Sequence, residues 1–270
     1  MMVFETQAQR LDYLVEAFKE DSAEYRKLET PGDAEGKRRL LRSLMNIRMP
    51  GPMPEKVLLV QDEYLRERAA EEGIVTLSEI PVRTGRISVW QGDITRLAVD
   101  AIVNAANSQM LGCFIPMHSC IDNCIHSFAG VQLRAECGRR MGELRKKYGR
   151  GYEQPTAVPM LTGAYNLPAK KIVHIVGPIV DGELTAALEA DLARCYSNTL
   201  ELCREEGLRS VAFCCISTGV FRFPPERAAE IAVRTVTDWL EAHPEALDRV
   251  IFNVHSDRNR LLYERELKRG

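Results

Sequence analysis

The stretch DAIVNAANS at residues 100–108 is a short apolar run that ends in polar and small residues. Such a run between turn-forming residues is typical of a buried strand in a parallel sheet. Periodic sequences of helical length lie at 120–137, 185–207 and 224–243. The pattern predicts an α/β fold from about Gly85 onward, and four more runs have the same strand-like character: RISVWQGDIT (86–95), KKIVHIVGP (170–178), RSVAFCCIS (209–217) and RVIFNVHS (249–256).

The first eighty residues have a different pattern. Amphipathic segments at 6–20, 37–48 and 54–73 have apolar residues at helical spacing, and prolines interrupt the chain between the last two. We therefore predict a small helical N-terminal extension over residues 1–80, followed by the α/β domain over residues 81–270. None of the three segments contains a motif that indicates chemistry.

The composition of the 270 residues predicts a soluble globular protein, with 45% hydrophobic residues and a formal net charge of -2. This charge gives no overall reason to bind nucleic acid or an anionic membrane, so local groups must hold any anionic ligand. No apolar run approaches the ~20 residues that span a bilayer, and the N-terminus carries acidic residues where a signal peptide is basic. We expect a cytoplasmic protein with neither nucleic acid nor membrane partners.

The cysteines number eight, which is too few for a disulfide scaffold in a chain of this length, so we expect free thiols. Cys195 and Cys203 fall in a helical pattern, and Cys214 and Cys215 fall in a strand-like run. Free cysteine packs as a small hydrophobic side chain, so packing is the predicted role of these four residues.

Polar and small residues follow three of the predicted strands, at the ends where α/β sheets bind ligands. Asp93 follows the first strand, Asn104 and Asn107 close the second, and STGVFRFP at 217–224 follows the fourth. A turn of small residues before a helix can present backbone N–H groups to a phosphate. The alternatives are an ordinary strand-to-helix turn for the last stretch and a turn or helix cap for Asp93.

Several of these stretches together resemble the macrodomain family. They occur in the family's order and extend the resemblance from Ile87 to about Tyr263. The resemblance implies a three-layer α/β/α macrodomain fold with a central mixed, largely parallel sheet, and a pocket for ADP-ribose. The stretches are GDIT (92–95), DAIVNAAN (100–107), IHSFAG (125–130), LPAKKIVHIVGP (167–178) and ISTGVFRFP (216–224).

The resemblance also implies a binding role for residues at each strand end. Asp93 would accept a hydrogen bond from the adenine amino group, and the backbone N–H of Ile94 would bind the proximal phosphate. Asn107, together with Asn104, would face the distal ribose. One loop would wrap the diphosphate and pack its aromatic side chain on that ribose; it consists of Ser217, Thr218, Gly219, Val220, Phe221 and Arg222.

The sequence departs from most macrodomains between the second strand and the next helix, where those proteins have a run of glycines. Here LGCFIPMHSCIDNCIH at 111–126 resembles the zinc-containing branch of the family, in which Cys113, His118 and Cys120 would hold Zn²⁺. Thiolate and imidazole suit Zn²⁺, and three protein ligands leave a fourth position for water or substrate. The alternatives are a structural zinc with Cys124 as fourth donor, or a redox dithiol of Cys113 and Cys120.

A zinc ion at the ribose end of such a pocket suits cleavage at C1″ of the distal ribose, because Zn²⁺ can polarise a ribose oxygen or lower the pKa of bound water. The resemblance implies a protein mono-ADP-ribosyl hydrolase that releases ADP-ribose, most naturally from esters of Asp or Glu side chains. Asn107 and Asp122 are the candidate catalytic residues, and a helix N-cap is the alternative role of Asp122. The alternative function is a reader module that binds ADP-ribose beside a structural zinc.

The expected ligands are ADP-ribose and an ADP-ribosylated protein. For this branch, the resemblance implies a sirtuin-like ADP-ribosyltransferase and, as the modified substrate, a lipoylated carrier protein of the glycine-cleavage type. The sequence itself contains no signal for either partner, for the oligomeric state or for the purpose of the helical extension.

Overall fold

Nine strands are present in the computed structural model, which describes residues 4–269. Seven of the strands form one mixed sheet, and the other two pair with each other. The strands are β1 (Val75–Thr76), β2 (Val82–Thr84), β3 (Ile87–Gln91), β4 (Leu97–Ala98), β5 (Ala101–Ala106), β6 (Met160–Gly163), β7 (Lys171–Val176), β8 (Ser210–Phe213) and β9 (Arg249–Val254).

The seven-stranded sheet has the order β2-β3-β9-β8-β5-β7-β6. Its five inner strands are parallel to one another, and the edge strands β2 and β6 are antiparallel to their neighbours. The inner strands are buried on both faces, as their continuous apolar sequences require. All five predicted strands are therefore confirmed, whereas the short strands β1, β2, β4 and β6 have no counterpart in the prediction.

Eight helices are present within the described residues, and three of them precede the sheet. Together with the sheet, they confirm the predicted α/β architecture, a mixed and largely parallel sheet preceded by an N-terminal helical extension. The division at residue 80 stays a prediction. The helices are α1 (Gln7–Glu20), α2 (Ala34–Ile47), α3 (Glu55–Glu72), α4 (Ile121–Ala129), α5 (Val131–Tyr148), α6 (Ala186–Glu205), α7 (Pro225–Ala242) and α8 (Asp257–Glu266).

The segment 120–137, predicted as a single helix, forms α4 and the start of α5 instead. Gly130 separates the two helices and has φ 97°, a conformation that side chains disfavour. A Cβ at this position would lie 2.6 Å from the Gln61 side chain and 3.0 Å from that of Asn166. The break therefore brings the chain close to α3, which a local helical pattern could not reveal.

A crevice opens between two neighbouring strands at the centre of the sheet. Strand β5 pairs with β7 along all six of its residues. With β8 it pairs only through Ala101 and Ile102, so β5 and β8 separate toward their carboxyl ends. In α/β sheets such a separation at a change in strand order is the usual place for a ligand.

Helices α1, α2 and α3 pack on one another around a small apolar core of their own. Val131 of α5 joins that core and fastens the three helices to the α/β domain. Polar contacts complete the junction, since the Gln61 side chain accepts a hydrogen bond from the backbone N–H of Val131. The extension is thus tied to α5 by both apolar and polar contacts.

All eight cysteines are free thiols in the described part of the chain, as predicted. Cys195, Cys203 and Cys214 are buried, in agreement with a packing role, while Cys215 is partly exposed. None of the helices in residues 4–269 combines the length and the apolar composition needed to cross a membrane.

Candidate functional site

A cavity of about 520 Å³ lies at the carboxyl ends of the parallel strands, where β5 and β8 separate. Its size is typical of a pocket for a small organic ligand. Residues of the predicted binding loop and of the predicted metal loop both line it. The lining residues are Gly92, Asp93, Ile94, Ala105, His118, Ser119, Cys120, Ile121, Cys124, Cys214, Cys215, Ser217, Thr218, Gly219, Val220, Phe221, Asn253, His255 and Asn259.

Asp93 caps a short 3₁₀ turn, Ile94–Arg96, directly after β3. Its Oδ1 accepts hydrogen bonds from the backbone N–H and the hydroxyl of Thr95, at 2.9 and 2.7 Å. The capping role that the sequence left as an alternative is therefore real. Because both bonds use the same oxygen and Asp93 also lines the cavity, Oδ2 remains available to accept from a ligand.

The loop after β8 has a backbone shaped for close contact. Ser217 and Arg222 bracket it with φ values of 64° and 58°, in the left-handed region. The buried hydroxyl of Ser217 has no hydrogen-bond partner within residues 4–269. It rests against Gly177, where a Cβ would come within 2.1 Å of its oxygen. A buried hydroxyl without a partner beside a cavity is a group whose hydrogen bond a ligand or an ordered water would complete.

Arg222 lies apart from the other five predicted residues of this loop. Its exposed side chain pairs with Asp181 at 3.1 Å, and it is absent from the residues that line the cavity. Its ion pair is exposed on both sides and contributes little to stability. Val220, by contrast, lines the cavity with its side chain 74% exposed.

The structure brings Cys113, His118 and Cys120 together as a group that could hold a metal ion. Their ligand atoms all lie within 4.8 Å of one another, and Cys113 Sγ is 3.6 Å from His118 Nδ1. Tetrahedral Zn²⁺ with usual bond lengths separates sulfur and nitrogen ligands by about 3.6 Å. The donor types and this distance both fit Zn²⁺.

Cys124 lies outside this group, which weighs against a structural zinc with Cys124 as its fourth ligand. Its Sγ lies 3.5 Å from the guanidinium of Arg42, and burial raises the pKa of its thiol. Burial also raises the pKa of Cys120 to about 12, with Cys113 adding to the shift. A raised pKa keeps a thiol protonated, which disfavours a reactive redox dithiol.

Asp122 lies in the first turn of α4, and Cys120 is the residue that caps this helix. The alternative of Asp122 as N-cap is therefore wrong. Its carboxylate accepts from the side-chain amides of Asn104, at 2.7 Å, and Asn107, at 3.3 Å. Burial raises the pKa of Asp122 to about 6. The three predicted residues thus form one network behind the metal loop, and none of them is among the residues that line the cavity.

A second group of possible metal ligands, His126, Cys137 and His174, is fully buried below this network. The nitrogens of His174 already contact the Asn104 amide at 3.0 Å and the Thr162 hydroxyl at 2.9 Å. Burial lowers the pKa of His174 to about 3, which keeps the ring neutral. A histidine with both nitrogens occupied packs and connects rather than binds a metal.

The end of β9 supplies lining residues that the sequence reasoning missed. Asn253 and His255 lie at the end of the run RVIFNVHS, and the Asn253 amide donates to the carbonyl of Gly92 at 2.9 Å. This contact joins the ends of β9 and β3 below Asp93. The rule that singled out the other strand ends would also have found these two residues.

Residues 103–232 match the family model described as Macro domain. A protein-ADP-ribose hydrolase from Treponema medium is 47% identical over 264 residues, which cover 96% of this chain and 98% of that protein. A protein-ADP-ribose hydrolase from Staphylococcus aureus (strain MRSA252) is 42% identical over 262 residues, with 96% of both chains covered. A Trypanosoma brucei macrodomain solved in complex with ADP-ribose is 29% identical, with a TM-score of 0.62 and coverage of 83% and 94%.

Proposed function

This chain belongs to the macrodomain family, and on that premise we propose that it is a zinc-dependent hydrolase that removes ADP-ribose from mono-ADP-ribosylated protein side chains. The observation that carries the proposal is the position of the metal-binding group. His118 and Cys120 line the same cavity as the loop that follows β8. Two relatives at 42–47% identity are named protein-ADP-ribose hydrolase.

The cavity would bind ADP-ribose along its length. At one end Oδ2 of Asp93 would accept from the adenine amino group, and the N–H of Ile94 would bind the proximal phosphate. Residues 217–221 would surround the diphosphate, with the Ser217 hydroxyl as an additional donor. This arrangement is supported by the buried hydroxyl that lacks a partner in the described part of the chain and by the bound ligand of the Trypanosoma brucei structure.

Cys113, His118 and Cys120 would hold Zn²⁺, which when bound supplies a Lewis acid beside the distal ribose. Phe221 lines the same cavity and would pack against that sugar. In this arrangement the adenine end anchors the ligand and the metal end holds the reacting carbon. Three protein ligands leave a coordination position open, as catalytic zinc sites require.

The bond to be broken joins C1″ of the distal ribose to an oxygen of a modified Asp or Glu side chain. Water supplies the new hydroxyl at C1″, the side-chain carboxylate leaves with the bonding electrons, and one proton is released. Asp122 accepts a hydrogen bond from the Asn107 amide at 3.3 Å, and these two residues are the proposed catalytic pair behind the metal loop. Because the pKa of Asp122 is raised to about 6, its carboxyl group can exchange a proton near neutral pH.

The substrate protein that we propose is a lipoylated carrier of the glycine-cleavage type, modified by a sirtuin-like transferase. This part of the proposal rests on the sequence resemblance alone. Faster release of ADP-ribose from another modified protein than from such a carrier would contradict it.

The proposed activity can be tested with proteins that carry ADP-ribose on Asp or Glu, on Ser, or on Arg. Each substrate is incubated with the full chain, with and without a chelator, and the release of ADP-ribose is measured. We expect release from the acidic side chains and its loss after chelation. Tight binding of ADP-ribose without release from any substrate would favour the reader module instead.

A further inference from the structure

We propose that helix α2 of the N-terminal extension positions the metal loop, residues 113–120, through the side chains of Arg42 and Asn46. The inference rests on the proposed function, because it gives these residues a purpose only if the loop holds a metal. It assigns a role to an extension whose sequence contains no motif of its own.

Arg42 contacts the loop directly. Its Nη2 donates to the backbone carbonyl of His118 at 3.0 Å and to Oδ1 of Asn123 at 2.9 Å. The guanidinium also lies over the ring of Phe128, 5.4 Å from its centroid. A planar guanidinium held on three sides fixes the carbonyl that it contacts. The backbone of one metal ligand is therefore tied to a helix outside the sheet.

Asn46 holds the residue that precedes this ligand. Its Oδ1 accepts from the backbone N–H of Met117 at 3.0 Å, and its Nδ2 donates to the Ser127 hydroxyl at 2.8 Å. Met117 has φ 57°, a left-handed conformation that costs a non-glycine residue about 1 kcal/mol or more. Asn46 is 1% exposed. This buried amide stabilises the strained turn from which the His118 side chain projects.

The other end of the loop is tied to α2 through Arg134 of α5. One guanidinium nitrogen donates to the carbonyls of Met45, Asn46 and Arg48, at 3.2, 2.6 and 2.7 Å. The second donates to the carbonyl of Cys113 at 3.3 Å. A cation at the end of α2 occupies carbonyls that the helix leaves free. Arg134 thus links the backbone of Cys113 to α2, the helix that also holds the backbone of His118 through Arg42.

Asn123 completes the network between these contacts. Its Nδ2 donates to the carbonyls of Cys113 and Ile115, at 3.3 and 2.9 Å, while its Oδ1 receives the bond from Arg42. A loop of eight residues with this many fixed backbone groups has little freedom left to lose when a metal binds. Removing a contact of this kind around a metal site usually lowers metal affinity or activity by about 10- to 100-fold.

The test is a titration of the full chain, freed of metal, with Co²⁺, whose absorption bands report tetrahedral sulfur and nitrogen ligation. We expect Arg42→Ala and Asn46→Ala each to weaken Co²⁺ binding by about 10- to 100-fold. Arg39→Ala is the matched control, because Arg39 is exposed on the same helix and carries the same charge. We expect that control to bind Co²⁺ like the wild type.

The direction in which Arg42→Ala changes the Co²⁺ affinity distinguishes a positioning role of Arg42 from an effect of its charge. Removing a positive charge beside a cation site should by itself strengthen cation binding. Weaker binding therefore reports the lost contact with His118. Arg42→Lys keeps the charge, but its side chain is shorter and lacks the planar guanidinium that lies over Phe128, so we expect it to bind Co²⁺ more weakly than the wild type too.

Ser127→Ala provides a further variant if Arg42→Ala does not fold. It removes the hydroxyl partner of the Asn46 amide and leaves the acceptor for Met117 and every charge in place, so we expect Co²⁺ affinity closer to the wild type than that of Asn46→Ala. Thermal unfolding of each variant identifies those that fold. Wild-type Co²⁺ affinity and spectra in folded Asn46→Ala and Arg42→Lys would overturn the inference.

The outcome for the wild type distinguishes this inference from the proposed function. A wild type that binds Co²⁺ but releases no ADP-ribose removes the hydrolase and leaves the positioning role intact. A wild type that binds neither Co²⁺ nor Zn²⁺ removes both proposals. Unchanged affinity for ADP-ribose in the Arg42 variants would support an effect confined to the metal loop.

Discussion

The two ends of the cavity are built in different ways. At the adenine end, Asp93 and Ile94 follow β3 directly, and Asn253 of β9 fastens that turn from below. At the metal end, the ligands lie on a loop whose backbone is held by helices α2 and α5. The contacts of α2 with that loop join residues 71 and 76 positions apart in the sequence.

Under the proposed function, this difference predicts that binding and chemistry depend on separate parts of the molecule. The adenine end takes its geometry from the sheet, which a loop substitution does not disturb. The metal end takes its geometry from side-chain contacts that single substitutions can remove. Damage at either end should therefore change one property and leave the other nearly intact, and the predictions below test that separation.

The largest effect should come from His118→Ala at the metal end. We expect the rate of ADP-ribose release to fall by about 100-fold or more, since metal activation of an oxygen contributes several kcal/mol in the transition state. Affinity for free ADP-ribose should fall far less. Single-turnover rates on an ADP-ribosylated acidic side chain, measured beside a binding isotherm, give both quantities. Hydrolysis at the wild-type rate by a variant that lacks zinc would remove the metal from the mechanism.

The sequence predicted the position of the proposed adenine end more fully than the surroundings of the metal loop. Asp93 and the loop at 217–222 are strand-end residues, so a local pattern and the α/β rule placed them at one edge of the sheet. Arg222 was the exception, because its pairing with Asp181 depends on a distant loop. The crevice itself forms because the parallel strands β5 and β8 diverge. The apolar runs predict the strands but not their divergence.

The grouping of the three candidate metal ligands was also predictable, since they are close in sequence and have zinc-binding side chains. The side chains that hold these residues in place were not predictable. Arg42 and Asn46 lie in a helix whose pattern is that of an ordinary amphipathic segment, and Arg134 lies in α5. Their partners are backbone atoms, which carry no sequence signal. Contacts between segments that are distant in the sequence therefore determine the geometry of the metal loop, and sequence patterns do not predict such contacts.

Asp93→Ala should produce the next largest effect, at the opposite end. We expect ADP-ribose to bind about 1.5–3 kcal/mol more weakly, the loss usual for a hydrogen bond to a charged group. Metal content should not change, because Asp93 lies on the β3 turn and not on the metal loop. Calorimetry and metal analysis of the same preparation check both statements. Unchanged affinity would place adenine recognition elsewhere in the cavity.

The pH dependence of stability should reveal the buried histidine below the metal end. Burial lowers the folded-state pKa of His174 to about 3, so below its usual pKa the unfolded chain binds a proton that the folded chain does not. The free energy of unfolding should therefore fall as the pH drops from about 6.5 toward 3. Between pH 7.5 and 5 the loss from this residue should be about 2 kcal/mol.

His174→Gln removes the titrating group and should reduce this acid sensitivity. His126 is also buried with its pKa lowered well below the usual value, so part of the pH dependence should remain. Denaturant unfolding of both proteins at several pH values gives the free energy of unfolding as a function of pH for each. The same pH dependence in both proteins would mean that protonation of His174 is not coupled to unfolding.

The smallest predicted effect belongs to Gly177→Ala, at the end of β7. The added methyl group would lie 2.1 Å from the Ser217 hydroxyl and 2.7 Å from the Ile216 side chain, so the loop after β8 must shift. We expect ADP-ribose to bind about 5- to 10-fold more weakly, about 1 kcal/mol, because overpacking displaces backbone groups rather than removing them.

Gly142→Ala is the control, since its position on α5 has open space for a methyl group. Metal affinity should stay at the wild-type value in both variants. A loss of Co²⁺ binding in Gly177→Ala would show that the two ends are coupled through the sheet, and the separation on which these predictions depend would not hold.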